Sequence, residues 1–179
     1  DRHSLLEIEA RLGLSLGVAV VLTACSVARV TEMNPLPREA RWAMLPIVNQ
    51  SSTPQAGQRA EAIAATLLRA EGVTLVEYPP AEDADSFPVL KEGKRLVQAR
   101  EWARRGGYRY GVTGTVSEWR YKSGLDGEPA VGVTLKIIDL QNDTVLWSAT
   151  GARSGWGRES LAGTGHKVVA GLIEGIELR

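Results

Sequence analysis

Cysteine is nearly absent from this chain of 179 residues: Cys25 is the only one, so no disulfide can form within the chain. Histidine is almost as scarce. His3 and His166 stand at opposite ends of the sequence, and with a single thiol they cannot supply a zinc cluster. The formal net charge is zero, which argues against a general nucleic-acid binder. Nucleotide cradles are missing too. Gly163-Thr-Gly165 begins like a dinucleotide fingerprint, but its third glycine position is Val168 and no strand leads directly into it. Gly93-Lys94 fails as a phosphate loop, with Arg95 in place of Ser or Thr and Pro88 in place of the first glycine. Lys122-Ser-Gly is one box of the penicillin-recognising enzymes, yet no serine is followed three positions later by lysine. The chain is expected to be no enzyme and to carry no cofactor or metal.

What is present begins with an apolar run from Leu12 to Ala24. It is shorter than the roughly 20 residues that span a bilayer and has the length of a secretory h-region. Leu22-Thr-Ala-Cys25 closes the run and resembles a bacterial lipobox: small residues before the cut, then a thiol to accept the lipid. The expectation is that residues 1–24 form a signal peptide and that Cys25 carries a covalent lipid, against a buried cysteine or an uncleaved anchor. At about 0.8 kcal/mol per buried methylene, two or three acyl chains hold a protein stably on its membrane. Ser26, uncharged at the next position, favours the outer membrane in lipoproteins of this kind. Removing residues 1–24 takes away two arginines and three acidic residues, so the mature chain stays close to neutral.

Residues 25–40, ending in Asn34-Pro-Leu-Pro-Arg, lack any period and read as a lipidated tether; residues 41–179 read as one domain. Trp42 to Val48 is apolar enough for a buried strand, with Pro46 tolerated at an edge or bulge. Thr53-Pro54 offers an N-cap, and Ala60, Ile63, Ala64, Leu67 and Leu68 then repeat at helical spacing up to Gly72. A strand over 73–78 and an irregular connector over 79–93 follow. Lys94 to Arg105 makes a second helix that ends at Gly106-Gly107. From Tyr108 the period is two. Tyr110, Val112 and Val116 share a face and Trp119 falls out of phase, so a bulge near Ser117-Glu118 is expected. Val131 to Ile137 and Val145 to Ala149 continue a meander, and Leu161 to Ile176 closes the chain as a glycine-containing helix. The order β-α-β-α-β-β-β-α gives an α+β fold with helices packed on one mixed sheet.

Two features exceed the needs of a scaffold. Trp156 lies between Gly155 and Gly157, outside every periodic pattern, with Arg153 and Arg158 nearby. An exposed indole there suits a lipid headgroup layer or a binding hot spot; a ring folded back onto the core is the alternative. Asp126 and Glu128 lie in the hairpin tip Gly124-Leu-Asp-Gly-Glu-Pro. Aspartate in such a place commonly satisfies its own turn, but in a cyclic oligomer these carboxylates would recur about one axis and focus a negative field. His166 reads as a solvated helix residue.

Leu45-Pro-Ile-Val-Asn-Gln-Ser, Tyr110-Gly-Val-Thr-Gly-Thr-Val-Ser-Glu-Trp-Arg-Tyr, Val133-Thr-Leu-Lys-Ile-Ile-Asp-Leu and Val145-Leu-Trp-Ser-Ala-Thr-Gly resemble the domain shared by the curli secretion lipoprotein and the N-terminal domain of TolB. Trp119 to Ala130 together with Ser154-Gly-Trp-Gly-Arg is most similar to the lipoproteins of the Pel exopolysaccharide export system. That resemblance implies a homo-oligomeric, dodecameric ring on the periplasmic face of the outer membrane. The ring would stand around the β-barrel porin PelB and guide a cationic, amino-sugar-rich polysaccharide outward during biofilm formation. It also implies roles: Asp126, with Glu128 as a weaker companion, lining the funnel, Trp156 touching membrane or porin, and Cys25 holding the lipid. The alternative implied by related folds is a monomeric lipoprotein that activates a peptidoglycan synthase.

Overall fold

The computed structural model describes residues 26–29, 34–79, 88–124 and 127–179. The alternating segments after Tyr108 become three long antiparallel strands, β4 (Tyr110–Tyr121), β5 (Pro129–Asp139) and β6 (Thr144–Ser154). Strand β2 (Trp42–Asn49) joins them in parallel to β4, and the short β3 (Leu75–Glu77) pairs in parallel with β2 at the edge. Residues Ser26–Arg29 form β1 at the opposite edge, antiparallel to β6. The mixed sheet therefore has six strands in the order β1-β6-β5-β4-β2-β3. The expected bulge sits between Val116 and Glu118, and it moves Trp119 onto the same buried face as Val116. A second irregularity lies between Met44 and Ile47, where Pro46 cannot donate to a ladder and its carbonyl instead accepts the Thr113 hydroxyl at 2.7 Å.

Helix α1 (Ala56–Ala70) and helix α3 (Leu161–Ile173) cover one face of the sheet. Their small and branched residues Ala60, Ala64, Leu68, Val168, Val169 and Leu172 pack with Trp42, Val112, Trp119, Leu135, Ile137 and Trp147 in the main core. Helix α2 (Pro88–Arg105) lies on the other face, where Ala99 and Ala103 meet Ala43, Leu45, Ile138 and Leu140. The glycines of α3 have a packing reason at one position. A Cβ on Gly165 would stand 2.2 Å from the Trp119 ring, so only glycine lets the helix approach the indole this closely.

Three boundaries differ from the sequence reading. First, α1 begins at Ala56 behind Gln55, which adopts a left-handed conformation (φ 61) without capping through its side chain. The hydroxyl of Thr53 instead donates to the Trp119 carbonyl, so a tertiary bond to β4 takes the residue that would have capped. Second, α2 extends back to Pro88, with proline at its first position where no N–H is needed, so the connector assigned to 79–93 is shorter. Third, the tether assigned to residues 25–40 is structured over much of its length. Ser26–Arg29 pair with β6, while Leu36 is buried and bridges Leu178, and the Pro37 carbonyl accepts the Trp42 indole N–H. Leu36 thus belongs to the folded domain, ahead of residue 41.

A hairpin and an aromatic loop share one end of the sheet

Strand directions decide which side chains meet. Strand β4 runs out at Tyr121, the chain turns back into β5 at Pro129, and β6 ends beside Ala130 at Ser154. The hairpin over 122–128 and the loop over 155–160 therefore emerge from the same end of the sheet. They are joined there: the Gly155 N–H donates to the Pro129 carbonyl at 2.8 Å, and the Lys122 ammonium donates to the Ser154 hydroxyl at 2.6 Å. The Lys122 N–H closes the hairpin on the Glu128 carbonyl at 2.7 Å.

The loop is held from beneath by Glu159. One carboxylate oxygen accepts from Lys167 on α3, while the other accepts the Trp156 N–H at 3.4 Å and lies 3.9 Å from Arg153. The hydrogen bond from Lys167 is the main reason that the Glu159 carboxyl titrates below its ordinary value, aided by the charge of Lys167, the Trp156 N–H and Arg153 and opposed by desolvation. The next residue, Ser160, caps α3 by accepting the Gly163 N–H at 2.9 Å. Gly155 lies so close to Glu159, Pro129 and Thr164 that a Cβ would come within 2.8 Å of each. The loop backbone is therefore tightly packed, yet the Trp156 side chain is 68 % exposed. The ring does not fold back onto the core. Tyr121, 53 % exposed, stands at the same end with its hydroxyl accepting the Leu161 N–H at 3.1 Å.

The sequence-predicted residues fall out as follows. Glu128 and Trp156 are brought to one end, Glu128 half-buried beside Pro129 and Trp156 projecting. Asp126 and Cys25 lie outside the described residues. Trp119 and Trp147 are buried, Trp102 is half-buried against the second core cluster, and His166 is exposed on α3. The sequence reading missed Glu159 and Tyr121. The only local signal for Glu159 was an acidic residue just ahead of a serine N-cap, since its partners Arg153 and Lys167 come together through the fold.

The far end, at the helix C-termini, holds a cleft of about 530 Å³ lined by residues that include Arg38, Glu71, Glu174, Glu177 and Leu178. No group of three or more histidine, cysteine or acidic residues able to hold a metal occurs among the described residues. Likewise, no helix among them is long and apolar enough to cross a membrane.

No family model and no curated protein matches the chain. Solved structures do. The PelC dodecamer from Paraburkholderia phytofirmans is 40% identical, with a TM-score of 0.73, and the match covers 87% of this chain and 99% of that one. A point variant of that protein in another crystal form, also a dodecamer, matches at the same identity and TM-score over 100% of its length. Lipoprotein GNA1162 from Neisseria meningitidis shares the fold at 16% identity and a TM-score of 0.52, over 78% of this chain and 96% of its own. With 40% identity sustained over the whole of a solved relative, this chain belongs to the PelC family.

Proposed function

We propose that this protein is a non-enzymatic, lipid-anchored lipoprotein of the outer membrane. In this reading it assembles into a periplasmic ring and passes a cationic exopolysaccharide to a β-barrel porin of the PelB type. The observation that carries the reading is the 40% identity to solved PelC dodecamers along their full length. A ring requires heterologous contacts that close, and closure repeats every surface feature of one protomer about a common axis.

Repetition is what makes a hairpin carboxylate effective. A single solvated carboxylate attracts one amine weakly, because its field is screened within about 8 Å at physiological ionic strength. A circle of such carboxylates, with Glu128 beside each, overlaps its fields into one negative opening. A polymer carrying spaced ammonium groups exchanges between equivalent sites and is held at the opening without being trapped at any of them. No bond is made or broken, so the protein needs no nucleophile and no general base. Trp156 complements this role from the neighbouring loop: a projecting indole held on a rigid backbone suits the interfacial layer of a membrane or the rim of a porin. Lipid on Cys25 keeps the assembly at that surface.

Replacing Asp126 with asparagine preserves shape and removes the charge. Polymer export should fall while the thermal unfolding of the purified protein is unchanged. Unaltered export would refute the funnel role.

A further inference from the structure

We propose that β1 is a strap that fixes the lipid anchor at the Trp156 end of the domain, so that acyl chains and indole engage one bilayer surface together. The inference rests on the reading of Cys25 as lipidated and of Trp156 as a membrane contact, and adds how the two are coupled. Its basis is the register of β1 on β6: Ser26 opposes Ala152, Val27 opposes Gly151, Ala28 opposes Thr150 and Arg29 opposes Ala149. The pairing is antiparallel, so β1 starts where β6 is about to end.

Distances follow from that register. Ala152 precedes Trp156 by four residues, which at about 3.4 Å per residue puts Ser26 within roughly 15 Å of the indole loop, one strand spacing to the side. The anchored cysteine is bonded directly to Ser26. With β1 unpaired, residues 26–35 would form a free tether ahead of the packed Leu36, allowing up to roughly 35 Å between lipid and domain, and the domain would then tilt freely above its membrane. With β1 paired, the lipid and the loop are two attachments at one end, and two attachments restrict tilt where one does not.

The surroundings of that end suit a lipid headgroup layer. Trp156 is 68 % exposed, Tyr121 is exposed beside the neighbouring hairpin, and Lys122 and Arg158 are exposed cations flanking them. Aromatic rings with cationic side chains are the composition of an interfacial belt. Insertion of the loop also costs little order, because Glu159 and Gly155 already fix its backbone.

The test uses the mature lipidated protein in vesicles whose phospholipids carry bromine on their acyl chains. Of the other four tryptophans, Trp42, Trp119 and Trp147 are buried and Trp102 is half-buried, and a Trp156→Phe variant measures the background they leave, so the difference in bromine quenching reports on Trp156. On an edge strand one of any two neighbouring residues donates to the ladder, so Val27→Pro with Ala28→Pro breaks the pairing. A second variant keeps β1 intact and inserts a flexible Gly-Ser segment between Cys25 and Ser26. Flotation with the vesicles checks the anchor in every case. The expected result is strong quenching in the parent protein and loss toward the Trp156→Phe level in both variants, all of them still floating. Equal quenching in the parent and both variants would overturn the strap and leave the membrane contact standing. Absence of quenching in a floating parent protein would overturn the membrane contact of Trp156, and failure to float would overturn the lipid anchor; the strap falls with either.

Discussion

Two glycines of the same helix should respond to alanine with opposite signs. At Gly165 the added Cβ would meet Trp119 ring atoms at 2.2, 2.8 and 2.9 Å, and Trp119 is only 1 % exposed, so the indole has nowhere to retreat. Overpacking of this kind costs about 1–3 kcal/mol, against a gain of up to about 1 kcal/mol from replacing glycine within a helix. The net expectation is a loss of roughly 1–2 kcal/mol. At Gly171, on the same helix, nothing stands within 4 Å of the added carbon, so only the propensity gain remains, about 0.5–1 kcal/mol. Urea unfolding followed by tryptophan fluorescence reads both, as midpoints that move down for Gly165→Ala and up for Gly171→Ala at constant slope. If both midpoints moved in the same direction, the close approach of α3 to Trp119 would be wrong.

The remaining predictions concern the loop and its neighbours. Trp156→Ala should change thermal stability by no more than about 0.5 kcal/mol, as expected for an exposed side chain, while weakening docking to membrane or porin; a marked loss of stability would assign the ring to the core. Glu159→Gln should loosen the loop, read as faster amide exchange at 155–159. The carboxyl of Glu159 titrates lower in the folded than in the unfolded chain. Its contribution is therefore fully present above the ordinary value of 4.5 and is lost as pH falls through the folded one. The stability of Glu159→Gln should accordingly fall less steeply than that of the parent below that pH, and parallel curves would refute the role of the Lys167 contact. Trp119→Ala should cost about 3–5 kcal/mol, as the emptied space lies among Val116, Val131 and Gly165 in the main core.

Much of this fold is legible in the sequence where burial imposes a period. The meander from Tyr110 to Ser154 alternates because one face of the sheet carries the main core, and the phase slip between Val116 and Trp119 marks the bulge because both residues must reach that core. Strand β1 is not legible. Its four residues are too few to show a period, and their partner lies some 120 residues away on β6. The start of α1 misleads for a related reason: Thr53 has the chemistry of an N-cap, but a carbonyl on Trp119 takes its hydroxyl. At the Trp156 end, glycines around the indole announce a loop without saying which way its ring points. The loop backbone is held by Glu159 with Arg153 and Lys167, which only the fold brings together. The collective role proposed for Asp126 and Glu128 depends on copies of the chain that no single sequence displays.

In the proposed function this chain works as a ring. The most direct measurement is the solution mass of the mature protein, by sedimentation or light scattering across a wide concentration range, with and without detergent. A closed oligomer of about a dozen copies is the predicted result, in keeping with the PelC dodecamers that match the chain along their length. A monomer at every concentration and in both conditions would contradict it.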